Sequence, residues 1–177
     1  DVPPRSLTFR LRPAKWADVE SVAALTLAVC TADGDPSVAI SLEDLRQYWK
    51  EPGFHLDTNT WVAENADGKI VGYEELYDRH GSAAFEGDGY VHPDFLDQGI
   101  GTTLLRKLEI RAREEMKQAE PDLRVTIRNT MGISDARSRK MHENEGYAPI
   151  RFSWRMEVRL DAPPTVLSLP DGLEYRP

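Results

Sequence analysis

The feature that most restricts the fold is a four-residue break between two strand-like runs. Thr60-Trp61-Val62-Ala63-Glu64 and Lys69-Ile70-Val71-Gly72-Tyr73 flank Asn65-Ala66-Asp67-Gly68. Both runs are rich in β-branched and aromatic residues, and Asp-Gly accepts the left-handed backbone of a tight turn. The pattern therefore predicts an antiparallel hairpin. Its second strand is expected to run on to Tyr77, with a turn over Asp78–Ser82 and a further strand over Phe85–Val91.

The remaining periodicities are of both kinds. Leu7-Thr8-Phe9-Arg10-Leu11-Arg12 alternates as a strand does, while Val19, Val22, Ala23, Thr26 and Val29 recur at helical spacing within Asp18–Cys30. Ser41 followed by Asp44 reads as a helix start, placing Leu42, Leu45 and Trp49 toward a core. Ile100, Leu104, Leu108 and Ala112 form the stripe of a long helix opening at Gln98-Gly99-Ile100-Gly101-Thr102. A short strand is expected over Leu123–Ile127, a polar helix over Asp135–Glu145 closed by Gly146, and a final strand over Phe152–Leu160. The order β-α-α-β-β-β-α-β-α-β implies a mixed sheet with helices packed on it. Residues 161–168, with Asp161-Ala162-Pro163-Pro164, read as a linker. Residues 169–177 read either as the first strand of a second domain, which would make the chain a piece of a longer protein, or as a tail strand.

Composition narrows the partners. The 177 residues suit one domain, and the formal net charge of -8 does not favour nucleic acid or an anionic membrane. With Cys30 as the one cysteine, no internal disulfide or cysteine-based zinc cluster can form, which fits a reducing, cytoplasmic setting. No metal site is implied. No apolar run approaches the roughly 20 residues needed to span a bilayer. Asp1-Val2-Pro3-Pro4-Arg5 does not resemble a signal peptide and reads as a trimmed or processed end.

The segment Tyr90-Val91-His92-Pro93-Asp94-Phe95-Leu96-Asp97-Gln98-Gly99-Ile100-Gly101-Thr102-Thr103-Leu104-Leu105 carries the chemistry. A strand ends and two glycines stand at the mouth of a helix, whose first-turn N–H groups lack intrahelical acceptors and lie at the positive end of its dipole. A phosphate fits there, and so does a tight turn with no ligand. The spacing is neither the dinucleotide fingerprint nor a P-loop. In this strand–turn–helix setting the segment resembles the acyl-CoA motif of the GCN5-related N-acetyltransferases. The element order agrees over roughly residues 5 to 160, and Glu143-Asn144-Glu145-Gly146-Tyr147 looks like the end of that family's last core helix. The resemblance implies an acyl-CoA N-acyltransferase fold of the α/β (α+β) class over residues 1–160. Its central sheet would be mixed and mostly antiparallel, with helices on both faces and splayed fourth and fifth strands.

It also implies acetyl-CoA as cosubstrate, with the pantetheine near Tyr90, Val91 and His92 and the pyrophosphate on Gln98, Gly99, Ile100, Gly101, Thr102 and Thr103. The acetyl group would pass to an unidentified primary amine, on a small molecule or a peptide. His142 stands where many members carry a tyrosine that protonates the departing thiolate. Glu75 and Glu86 are candidates to deprotonate the amine, and Tyr48, Trp49 and Phe54 fall where the family builds its substrate wall. Arg137, Arg139 and Lys140, or Arg124 and Arg128, could meet the 3′-phosphate. The sequence departs from the family at Leu96, where Arg or Gln is usual, at Asp97, where Gly is common, and at Gln98, where a basic residue is common. Asp135 replaces an asparagine. The tail, from Trp154 through Pro177, resembles the junction of tandem members, so a second domain of the same fold is expected to follow. One half of such a tandem is often degenerate. The alternative function is therefore a non-catalytic domain that binds CoA weakly or supports its partner domain.

Overall fold

A computed structural model describes residues 9–79, 81–163 and 170–173. The chain divides into two units, one ending at Tyr147 and one spanning Ala148–Pro177.

The first unit is built on five strands in the order β1-β2-β3-β4-β5: β1 Phe9–Pro13, β2 Thr60–Asn65, β3 Ile70–Asp78, β4 Ala84–Val91 and β5 Thr126–Asn129. β1 through β4 pair antiparallel, and only β4 and β5 run parallel. The predicted hairpin joins β2 to β3, with Gly68 at φ 79° in its turn. Helices α1 Val19–Ala32 and α2 Leu42–Tyr48 follow β1, and a single turn, α3 Leu56–Asn59, leads into β2. The Ser41 hydroxyl caps α2 by accepting the Asp44 N–H at 3.1 Å. The long helix α4 is Ile100–Glu115, and α5 is Ala136–Asn144.

Strand alternation sorts the core into two. On one face Val62, Ile70 and Tyr73 meet Val22, Leu25, Leu45 and Trp49 from α1 and α2. On the other, Trp61, Ala63, Leu76 and Phe85 meet Ile100, Leu104, Leu108 and Ala112 of α4. The sheet is mixed, mostly antiparallel and helix-covered on both faces, as the family resemblance implied.

Two segments differ from expectation. The fifth strand lies at Thr126–Asn129, later than Leu123–Ile127, because its bounds follow its partner: Ile127 and Asn129 stand beside Phe85 and Gly87, while Leu123 is exposed. In the second unit the strand expected over Phe152–Leu160 is not formed. Its alternating side chains Phe152, Trp154, Met156, Val158 and Leu160 are all exposed, and alternation makes a strand only where another backbone completes the ladder. Leu7 and Thr8 of the first predicted strand lie outside the described residues, and of the tail strand only residues 170–173, a turn, are described.

Candidate active site

The outer edge of β4 forms a slot. The His92 N–H bonds to the Val71 oxygen at 2.9 Å, so alternation along the antiparallel ladder turns residues 92, 90 and 88 toward β3. Gly87, Gly89 and Val91 then face the other way. β5 pairs with β4 only as far as Gly87. The backbone N–H and C=O of Gly89 and Val91 consequently have no neighbouring strand among the described residues, and they offer a sheet-like edge to an extended ligand. Of the residues expected along a pantetheine, Val91 presents its backbone to this slot. Tyr90 and His92 present theirs to β3. Gly89 is an addition that the sequence reading did not single out.

The mouth of α4 adjoins this edge. Gly99 is the N-cap, at φ 80° in the left-handed region that glycine occupies without a Cβ penalty. The first rung of the helix is Thr103 N–H to Gly99 O at 3.0 Å, which leaves the N–H groups of Ile100, Gly101 and Thr102 without helical acceptors. The Ile100 side chain is buried in the core, Gly101 abuts Met141 of α5, and the Thr103 hydroxyl bonds back to Gly99 O at 2.8 Å. The backbone, rather than these side chains, is what the turn can offer an anion. Gln98 precedes it. Thr102 lines a cavity of about 290 Å³ with Asp97, Arg137, Lys140, Met141, Asn144 and Glu145. Asp97 takes φ 60°, a conformation glycine adopts readily, and its exposed carboxylate pairs with Arg137.

The two consecutive glutamates of β3 project to opposite faces. Glu75 lies on the α1/α2 face, where its carboxylate accepts the Tyr48 hydroxyl at 2.8 Å and the Tyr73 hydroxyl at 2.5 Å. Burial pushes it up to about 7, and nearby Asp88 adds to the effect, while the two tyrosines oppose it. Asp88, itself raised by burial, accepts the Tyr90 hydroxyl at 2.9 Å. Trp49 is a core residue whose indole N–H reaches Tyr73 Oη at 3.2 Å, and Phe54 packs against Tyr48 at 4.8 Å between ring centroids. Glu86 is on the same face but has both oxygens engaged, by Arg79 at 2.7 Å and Arg128 at 2.9 Å.

On the α4 face, His142 is buried beneath the slot. Its Nδ1 stands 2.8 Å from Ser138 O, which can only accept, so Nδ1 carries the proton. Nε2 then takes an N–H from Asn129 Nδ2 at 2.8 Å. A Cβ on Gly87 would stand 2.6 Å from Asn129 Oδ1, and one on Gly89 would collide with the Glu74 carboxyl. Glu74 and Asn129 thus fill the space that the two glycines leave. Glu74 Oε1 and Asn129 Oδ1 are buried without a hydrogen-bond partner. Burial holds the Glu74 carboxyl well above the usual carboxylate range, with Asp88 and Glu75 adding to it. The glycines opposite Glu74 and Leu76 were the available signal for this notch, and without the β3–β4 register they could not be read.

Among the described residues no cluster of metal-ligating side chains occurs, and no helix is long and apolar enough to cross a membrane. No curated protein matches the chain. Among solved structures, a GCN5-related N-acetyltransferase from Sphaerobacter thermophilus superposes with TM-score 0.74 at 29% identity, covering 85% of this chain and 46% of its own. This chain therefore spans under half the length of that relative. A ribosomal-protein-alanine N-acetyltransferase from Brucella melitensis gives TM-score 0.59 at 25% identity over 77% of this chain and 83% of that one. The protein yncA from Salmonella typhimurium, solved with its cofactor acetyl-CoA, gives TM-score 0.57 at 21% identity over 78% of each chain and shows the shared fold. Residues 27–143, well over half of the chain, match the Acetyltransferase (GNAT) family, and the chain belongs to that family.

Proposed function

We propose that this domain transfers an acetyl group from acetyl-CoA to a primary amine. The observation that carries the reading is the unpaired β4 backbone at Gly89 and Val91, lying directly before the free N–H groups of α4. An acyl-CoA arm needs an extended edge for its amides and a cluster of N–H donors for its pyrophosphate, in that order along the chain. The chain supplies both within the span from Gly89 to Thr102. The orphaned Glu74 and Asn129 oxygens give the slot a polar floor that suits the thiol end of such an arm. When bound, acetyl-CoA would supply the activated acyl carbon. Gly89, Val91 and the α4 turn would hold it.

Glu75 is the base in this proposal. A carboxyl held near neutrality can take a proton from an ammonium and release it again, which an ordinary exposed carboxylate does poorly. Tyr48 and Tyr73 fix its orientation, and Phe54 packs behind Tyr48. Acidic Glu75 and Asp88, ringed by Tyr48, Tyr73 and Tyr90, favour an amine that arrives as a cation. Glu86, clamped by two arginines, serves better as a structural tie between β4 and β5.

A second reading, a domain that binds CoA weakly and supports a partner, has one observation in its favour. Asp97 places a carboxylate beside the anion-binding turn and occupies Arg137. Calorimetry with acetyl-CoA, followed by thiol release with a panel of primary amines, separates the two. Binding with turnover is expected. Binding without turnover, also in a longer chain carrying a following domain, leaves the supporting role, and no heat from either acetyl-CoA or CoA sinks both.

A further inference from the structure

The notch beneath β4 holds a carboxyl to which the function above gives no catalytic role. Glu74 is 5% exposed, on the face opposite Glu75, packed over Gly89 with Oε1 unpartnered. Its neighbour Asn129 fills the matching space at Gly87 and bonds to His142. His142, the residue expected to protonate a leaving thiolate, has its Nδ1 proton committed to Ser138 O and its Nε2 lone pair committed to Asn129. In this arrangement both ring nitrogens of His142 are therefore engaged by protein groups.

We infer that Glu74 is the proton donor to the departing sulfur, and that the thioester lies along the free β4 edge at Gly89, over which the Glu74 carboxyl is packed. The inference rests on the acetyl-CoA reading. Buried carboxyls without a cationic partner stay neutral, and a neutral carboxyl is a donor. The charged and titratable groups bearing on Glu74 are Asp88 and Glu75 on the strands and Tyr147, which senses Glu109 and Arg113 of α4 as well. Asp88 and Glu75, its two strongest electrostatic neighbours, are acidic and keep the proton on Glu74.

The step balances. The amine nitrogen forms its bond to the acyl carbon as the carbon–sulfur bond breaks, and sulfur keeps the bonding pair. Sulfur takes the Glu74 proton, and the surplus proton on nitrogen goes to Glu75. Glu75 then loses a proton to water and Glu74 regains one, so amine and thioester become amide and thiol with no other reactant. The two carboxyls act from opposite faces of the sheet, across the slot where β5 has parted from β4.

The full chain can be tested by infrared difference spectroscopy at neutral pH. A neutral carboxylic acid has a carbonyl band well separated from those of carboxylates. Glu74→Gln should remove such a band, and CoA should shift it in the wild-type protein. The probe 3′,5′-ADP, which carries the phosphates but no thiol arm, should leave it in place. The same variant should lower kcat by about a hundredfold, the lower end for loss of a general acid, while the Kd for CoA stays within about threefold. Should Glu74→Gln fail to fold, Glu74→Met removes the carboxyl at similar size. A band that CoA binds without shifting, or a kcat that survives the substitution, overturns the assignment and leaves the acetyl-CoA reading standing. A wild-type protein that binds neither CoA nor 3′,5′-ADP overturns both.

Discussion

Replacing Glu75 with Gln should make the protein more stable at alkaline pH while lowering turnover about a hundredfold. Glu75 sits at about 7 in the fold against 4.5 for a solvated glutamate, so its charged form carries a penalty of about 3 kcal/mol. Below pH 4.5 the carboxyl is neutral in both folded and unfolded chains, and no penalty arises. Between 4.5 and 7 the unfolded chain gives up the proton while the fold retains it, and stability falls. Above 7 the penalty is complete. Gln is neutral throughout and keeps an oxygen for one tyrosine hydroxyl, while the other can rotate to accept from its amide. Urea unfolding of both proteins between pH 4 and 8 should therefore show curves that nearly coincide at the acid end. They should separate to about 3 kcal/mol in favour of Glu75→Gln at the alkaline end. Thiol release with an amine acceptor should fall by about a hundredfold. A gap that does not grow with pH, or a variant less stable at pH 8, would show that the carboxyl is not strained by burial. The reasoning for its role as base would fail with it.

Three further outcomes follow from local geometry. Gly87→Ala places a methyl group against Leu108 Cδ1 and Asn129 Oδ1 in a closed core, and should cost about 1–3 kcal/mol by urea unfolding. Asp97→Gly keeps the backbone at positive φ and frees Arg137; calorimetry should show CoA binding about two- to fivefold tighter, as for one unfavourable charge removed from a helix N-terminus. Ser41→Ala removes the cap of α2 and should lower stability by about 1 kcal/mol in thermal or urea unfolding, without changing CoA binding.

The hairpin, the long helix and the capped start of α2 were legible because each is set by local chemistry. Gly68 and Ser41 act on groups within three or four residues of themselves. The bounds of β5 were not, since Ile127 and Asn129 are defined by Phe85 and Gly87, some forty residues earlier. The turn that opens α4 could be read from Gly99 and its neighbours, yet the backbone facing the slot could not. Whether Val91 or Tyr90 presents its amide depends on which carbonyl of β3 the His92 N–H finds. The same limit applied to the glutamates. The notch under Glu74 exists only because Gly89 lies across from it in the neighbouring strand.

That pairing makes the spacing within β3 a constraint on chemistry as well as on packing. One residue gained or lost between Gly72 and Glu74 would send each carboxyl into the opposite compartment, the near-neutral one beneath the helix and the other among the tyrosines. This strand can change length only in steps of two if the proposed acid and the proposed base are to stay on opposite sides of the sheet.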